Sequence, residues 1–396
     1  MKDTPLFFPA VQILFPDNLM QIIREKYDKN EEKNDNNVEK NYNNVEKNYE
    51  NVVVDENMRP AISFYLAAEE YVAQHFADRY GACYFVWLTP PSVIVGRHQV
   101  LKYEVNLDVL SKKHIQLIRR KSGGGAVLSD GNNLMTSLVL GKQYSDLDID
   151  TIFHKYAEGN IKALQKFGIE ATISGRNDIL LGKDGEYGKV SGNAFYKQRD
   201  HNIVHGTMLY DADVNLMADV LLPDDDKLKF KGVKSVRSRV CTIRKYFEKQ
   251  GFVTAHIPSQ AEVMRAFPDT LCKDSVMLTE DDVRNIWDIE RTYQDVAYLY
   301  GHQAEKEQIV LKKRFDGCGK ICISLHTEND VIDSVNVSGD FFEIQSGAAL
   351  SALQILKGHR PYKEELLQAV ENLDTTQAIR GFMPEMIREL ICQLGE

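Results

Sequence analysis

The chain has 396 residues, with 48 basic and 58 acidic side chains and a formal charge of −10. A hydrophobic share of 43% and a charged share of 27% are those of a globular protein and exclude a disordered or collagen-like chain. No run approaches the ~18 apolar residues of a membrane span, six cysteines are too few for a disulfide framework, and the acidic balance speaks against a nucleic-acid binder. The expectation is a cytoplasmic protein of two or three domains, with reduced thiols and no membrane or nucleic-acid partner.

At the N-terminus Asp3 follows Lys2 at once, and Pro5 and Pro9 interrupt the apolar residues, which makes a poor signal peptide and a plausible first strand. Residues 26–57 then depart from the rest, with ten asparagines, five lysines, nine acidic residues and a direct repeat, NNVEKNY at 36–42 and again at 43–49. So polar a segment buries too little apolar area to offset its ordering entropy and reads as a low-complexity insertion. Residues 59–76 read as an amphipathic helix, and 83–88 and 92–96 as two strands joined by a turn at Thr89-Pro90-Pro91. A helix over 149–168 stops at Gly168. After about 300, three strands (309–315, 320–327, 331–339) precede helices near 347–357, 363–373 and 383–394, an α+β unit. The expected division is 1–300 and 301–396. Cys318, Cys322 and His326 have a spacing that invites a zinc reading, but Cys322, Ser324 and His326 alternate with Ile321, Ile323 and Leu325 as on a strand.

The sharpest local feature is Arg119-Arg120-Lys121-Ser122-Gly123-Gly124-Gly125-Ala126. Consecutive glycines allow close backbone approach and positive φ, and their amides can form an anion-binding nest. The two arginines add bidentate donors for phosphate or carboxylate. No Lys-Ser/Thr pair follows the glycines, so this is not a P-loop. Further on come Gly175-Arg176-Asn177-Asp178, then Lys189-Val190-Ser191-Gly192-Asn193-Ala194, then His205-Gly206-Thr207. A carboxylate beside an amide suits Mg²⁺, and a lysine among glycines can offset charge on a transferring phosphoryl group. Each signal alone is weak.

Taken in order, these motifs resemble the lipoate–protein ligase A family. The likeness extends upstream to Ser92–Gln99, downstream to Lys231–Val240, and into a C-terminal part from Arg314-Phe315 to Ser338-Gly339-Asp340-Phe341-Phe342. The resemblance implies an α+β fold: a large biotin-protein-ligase-like catalytic domain with mixed sheets and a small C-terminal accessory domain. It implies ATP-dependent ligation of lipoate to a lysine, in which lipoate attacks the α-phosphate and the lysine amine then attacks lipoyl-AMP. Residue by residue, it implies that Lys189 stabilises charge in both steps and that Arg120, supported by Arg119, contacts the adenylate. Ser122, Gly123, Gly124 and Gly125 would surround the carboxyl and phosphate, with Ala126, Val127 and Leu128 along the nucleotide. Asn133 stands at the family's asparagine, Asn177 and Asp178 form its Asn-Asp pair with Asp178 holding Mg²⁺, and Ser191, Gly192, His205 and Thr207 shape the site. The implied acceptors are lipoyl domains of 2-oxoacid dehydrogenase acyltransferase subunits or the glycine-cleavage H protein, modified by a monomer.

Ser129 stands where the family usually has histidine, although Asp130 is retained, and Lys121 stands where a small polar residue is common. Residues 227–245 carry eight basic and no acidic side chains, and in the family this segment includes a loop that can cover the adenylate. Two rival functions remain. One is an octanoyltransferase, which would need a cysteine nucleophile, with Cys241 the only cysteine near a motif. The other is a lipoate-binding or acceptor-scaffolding protein with no ligase activity.

Overall fold

The computed structural model describes residues 7–23, 60–175, 177–222, 239–301 and 309–395. The insertion at 26–57, Arg176 and positions 227–238 of the basic segment lie outside the described residues. Fourteen strands appear among those described: β1 (Ala10–Leu14), β2 (Ala82–Trp87), β3 (Ser92–Val95), β4 (Gln116–Arg119), β5 (Val127–Ser129), β6 (Asn133–Leu140), β7 (Ala171–Ser174), β8 (Asp178–Leu181), β9 (Gly188–Gln198), β10 (His201–Leu209), β11 (Cys272–Met277), β12 (Ile309–Phe315), β13 (Gly319–Glu328) and β14 (Val331–Gly339).

Eight of them form one mixed sheet, in the order β11-β1-β2-β6-β10-β9-β8-β7. β1 runs parallel to β11 and β2, and the remaining neighbours are antiparallel. All residues of β6 and β10 are buried, because helices and loops cover both faces of the sheet at its centre. On one face lies helix α1 (Ile62–His75), and on the other α2 (Ile149–Gln165), whose first turn is capped by Asp148 accepting from the Thr151 amide at 2.8 Å. Gly168, three residues past α2, has φ +72°, the stop that the sequence predicts.

Two expectations change. Helix α1 is not amphipathic, since twelve of its 14 residues are buried. It is enclosed between the sheet and helix α3 (Glu280–Glu290), to which it is tied by Ser63 Oγ donating to Glu290 Oε1 at 2.6 Å and Tyr71 donating to Asp282 at 2.5 Å. β2 and β3 are not a hairpin either. β2 joins the large sheet, whereas β3 pairs with β4 and β5 in a second sheet of three strands. Pro90 and Pro91 lack amide donors, so the chain cannot continue a ladder through them.

From 309 onward β12, β13 and β14 form an antiparallel sheet over its own apolar cluster, joined by helix α4 (Pro384–Ile391) and shorter helices at Ala348–Leu353 and Lys363–Ala369. Just beyond β14 the chain turns back to the part built on the large sheet. Gly339 donates to the His98 carbonyl at 2.9 Å, and Phe341 stacks on the His98 ring at 4.5 Å. Phe342 enters the main core, 5.3 Å from the Phe153 ring.

Candidate active site

Lys189 owes its position to an irregularity. In a regular strand, residues three apart point to opposite faces. β8 pairs Asp178 with Gly192 and Ile179 with Ser191, but Leu180 pairs with Lys189, so Val190 is the extra residue of a β-bulge. The bulge brings Lys189 onto the face of Asp178 and Gly192, with its Nζ 2.7 Å from Asp178 Oδ1. A Cβ on Gly192 would stand 2.5 Å from that Nζ, so the glycine makes room for the ammonium. The lysine backbone is fixed on its other side: its amide donates to the Arg239 carbonyl and its carbonyl accepts from Cys241, each at 2.9 Å. This pairing also brings Arg239 Nη2 to 3.9 Å from Asp178 Oδ2.

Of the two arginines that precede the glycine loop, Arg119 ties together the neighbouring backbone and Arg120 holds the loop itself. Arg119, 2% exposed, donates to the carbonyls of Gly96, Arg97, Gln99, Leu299 and Tyr300 at 2.8–3.2 Å. Arg120 donates from Nε to Ser122 Oγ at 2.9 Å and from Nη2 to the carbonyls of Gly123 and Gly125 at 2.6 and 2.9 Å. Burial pushes its guanidinium down to about 10, so it stays cationic at neutral pH. Gly124 needs its freedom at φ +87°, and its amide donates to the Phe341 carbonyl at 3.2 Å. Lys121 turns away from this loop to an ion pair with Glu70 at 2.6 Å, beside the Tyr293 ring.

Between the loop and the β8–β9 pair lies a cavity of about 490 Å³. Of the residues expected from sequence, Arg120, Gly124, Gly125, Ala126, Val127, Leu128, Asn177, Asp178, Lys189, Gly192, His205 and Thr207 line it. Arg119, Ser122, Gly123, Asn133 and Ser191 do not. Asn133 instead donates to the Leu128 carbonyl at 3.0 Å, and Ser191 to Asn193 Oδ1 at 3.0 Å, so both support the wall from behind. Gly123 lies against the C-terminal part, where a Cβ would be 2.0 Å from the Phe341 carbonyl oxygen.

Sequence reasoning did not identify the apolar end of the cavity, made by Ile62, Leu66, Ile94, Trp87 and Met135. Ile62 and Leu66 are four apart on α1, a spacing visible in the sequence. Trp87 and Met135 meet only through the pairing of β2 with β6. Arg239 from the Cys241 segment, and Arg314, Asp340 and Arg380 from the C-terminal part, complete the polar rim.

Among the described residues no group of three or more His, Cys, Asp or Glu could hold a metal by itself. A Mg²⁺ carried by phosphates needs only one or two protein carboxylates, and Asp178, beside Asn177 on the cavity wall, offers one, so the donor set fits such an ion. Cys241 is 1% exposed and burial pushes its thiol up, the reverse of what a cysteine nucleophile requires.

Residues 61–267 match the model of the lipoyl protein ligase A/B catalytic domain, and 305–391 that of the bacterial lipoate protein ligase C-terminus. The chain is 32% identical over 330 residues to lipoate-protein ligase LplJ of Bacillus subtilis, covering 82% of this chain and 95% of that one. Its fold is similar to that of P. falciparum LipL1 solved in complex with lipoate, with a TM-score of 0.64 and 18% identity over 98% of this chain and 100% of that one. It is also similar to the bi-partite lipoate protein ligase of Thermoplasma acidophilum, solved in a study of that ligase and its E2 lipoyl domain (TM-score 0.50, 25% identity, covering 61% of this chain and 93% of that one).

Proposed function

The chain belongs to the lipoate–protein ligase family, and from that premise we propose that it uses ATP to join lipoate to a lysine of a lipoyl domain. The observation that carries this is the Lys189 ammonium, held by Asp178 at 2.7 Å on the wall of a cavity whose far end is apolar. A carboxylic acid with a long aliphatic tail suits such a cavity, tail inward and carboxyl at the cation.

In the first step the lipoate carboxylate oxygen bonds to the α-phosphorus and the bond to pyrophosphate breaks. A carboxylate must therefore approach a polyanion, and cations on the wall reduce that repulsion. Lys189 carries this role, with Arg239 and Arg120 nearby. The amide of Ala126 is turned away from Arg120, because the Gly125 carbonyl across the same trans peptide points toward it, and is a candidate donor to the acyl or phosphate oxygen. Asp178 would hold a Mg²⁺ brought by the phosphates, which supplies charge neutralisation there.

In the second step the acceptor amine attacks the acyl carbon and AMP leaves. Lys189 again faces the departing phosphate oxygen and need not form a bond to carbon. The acceptors proposed are lipoyl domains of acyltransferase subunits or the H protein, and the lipoyl-domain partner named with the Thermoplasma ligase supports that class. A cytoplasmic setting agrees with six free cysteines, and no helix of the described residues is long and apolar enough to cross a membrane.

The test is the mass of a purified lipoyl domain after incubation with the protein, ATP and lipoate or octanoate. An acyl adduct on one lysine, dependent on ATP and accompanied by pyrophosphate, is expected. A parallel reaction supplies an octanoyl thioester and no ATP: an adduct formed there, with release of the thiol, would return the octanoyltransferase reading, and no adduct from either donor would favour the scaffold.

A further inference from the structure

Behind the glycine loop a chain of hydrogen bonds runs from helix α1 to Arg120. The carboxylate of Glu69, fully buried, lies 2.9 Å from His205 Nδ1 through each oxygen. His205 Nε2 lies 2.8 Å from Ser122 Oγ, which accepts from Arg120 Nε at 2.9 Å. On its other side Glu69 accepts from Ser137 Oγ at 2.6 Å, and Ser137 accepts from the Trp87 indole at 2.8 Å.

The direction of each bond follows from what each group can do. A carboxylate only accepts, so Nδ1 of His205 carries a proton. A guanidinium only donates, so Ser122 Oγ accepts from Arg120; on a neutral His205 whose proton sits on Nδ1, Nε2 is an acceptor and takes the Ser122 O–H. The order Ser–His–Glu resembles a nucleophilic triad, but Ser122 is fully buried, does not reach the cavity, and its oxygen is occupied by an arginine. A nucleophile needs access to substrate, and this serine has none. What the serine does reach is Arg120, whose Nη2 donates to the carbonyls of Gly123 and Gly125.

We propose that Glu69 is a positioning residue for the ligase reaction: it fixes the tautomer of His205, which orients Ser122 and through it Arg120 and the glycine loop. Two members of the chain, His205 and Arg120, line the cavity, so a change at Glu69 is transmitted to the reacting groups without contact. The carboxylate also supplies a buried negative charge that favours the Arg120 cation. The proposal rests on the adenylation reaction proposed above, and pyrophosphate release by the unaltered protein tests that reaction separately.

Two measurements decide it. In ¹⁵N-histidine-labelled protein, with the signal assigned by its loss in His205→Asn, Nδ1 of His205 is expected to be protonated and Nε2 bare. A proton on Nε2 overturns the proposal, and this readout needs neither turnover nor a folded Glu69 variant. The second is a double-mutant cycle on adenylate formation with Glu69→Gln, Ser122→Ala and the pair. Losing a charge-assisted bond or its relay is expected to slow each single variant roughly tenfold, and the pair no further than the slower single. Losses that multiply in the pair, or Glu69→Gln within twofold of the unaltered protein, refute the relay.

Discussion

Lys189 and Gly192 carry opposite burdens at one point: one brings the charge and the other leaves space for it. Lys189→Ala is expected to abolish both adenylate formation and transfer while the fold persists, and near-normal lipoylation of an acceptor by this variant would exclude the proposed role. Gly192→Ala separates position from presence. Its Cβ meets the tip of a flexible side chain rather than backbone, so the ammonium moves and the strand does not. Activity is expected to fall at least about tenfold while stability changes by less than about 1 kcal/mol, as activity assays and denaturant melts would report. The types and order of the residues in this site were legible in the sequence, because each chemistry demands few residue types. The bulge at Val190 was not, since alternation alone sends Lys189 to the wrong face. Nor was Glu69, which reads as part of an ordinary polar face until α1 is seen to be enclosed.

At the scale of elements, the contact that most concerns the site is the segment after β14 against the glycine loop. Glu343 organises it, accepting from the amides of Gly347 and Ala349 at 3.0 Å and from His98 at 3.2 Å. Burial alone would raise this carboxyl, but the bonds from His98 and the two amides outweigh it and hold it below the usual range. A lowered carboxyl contributes stability that is present above its unfolded value, about 4.3, and is lost as pH falls through its folded value. Glu343→Gln is therefore expected to be less stable than the unaltered protein at pH 7, by about 1–3 kcal/mol, with the difference shrinking on acidification below about pH 4. Thermal melts of both proteins across pH test this, and a difference independent of pH would count against it. The three C-terminal strands were legible as alternating runs. The separation of β2 from β3 was less so, because a proline pair marks a break without saying to which sheet the chain goes.

For the whole molecule, the charge of −10 is unevenly spread. The insertion at 26–57 contributes −4, from five lysines and nine acidic residues, whereas the cavity rim holds Arg120, Lys189, Arg239, Arg314 and Arg380. An acidic protein can thus still present cations to a polyanion. Deleting 28–55 is expected to leave adenylate formation and acceptor transfer within a few-fold, and a selective loss of transfer would make the insertion a docking arm instead. The C-terminal part supplies rim residues to that cavity, and among its described residues Phe342, 1% exposed, is buried in the main core with Ile344 packed against it. A connection of this kind acts through local concentration. Two parts of one chain meet at an effective concentration of about millimolar, so the joint needs only modest intrinsic affinity. With a protease site introduced between 302 and 308, the cut halves should stay together when concentrated, and Phe342→Ala should let them part on dilution, as sedimentation would register. The covalent link would then be a means of supplying one partner to the other, and its replacement by mere abundance would cost the enzyme little.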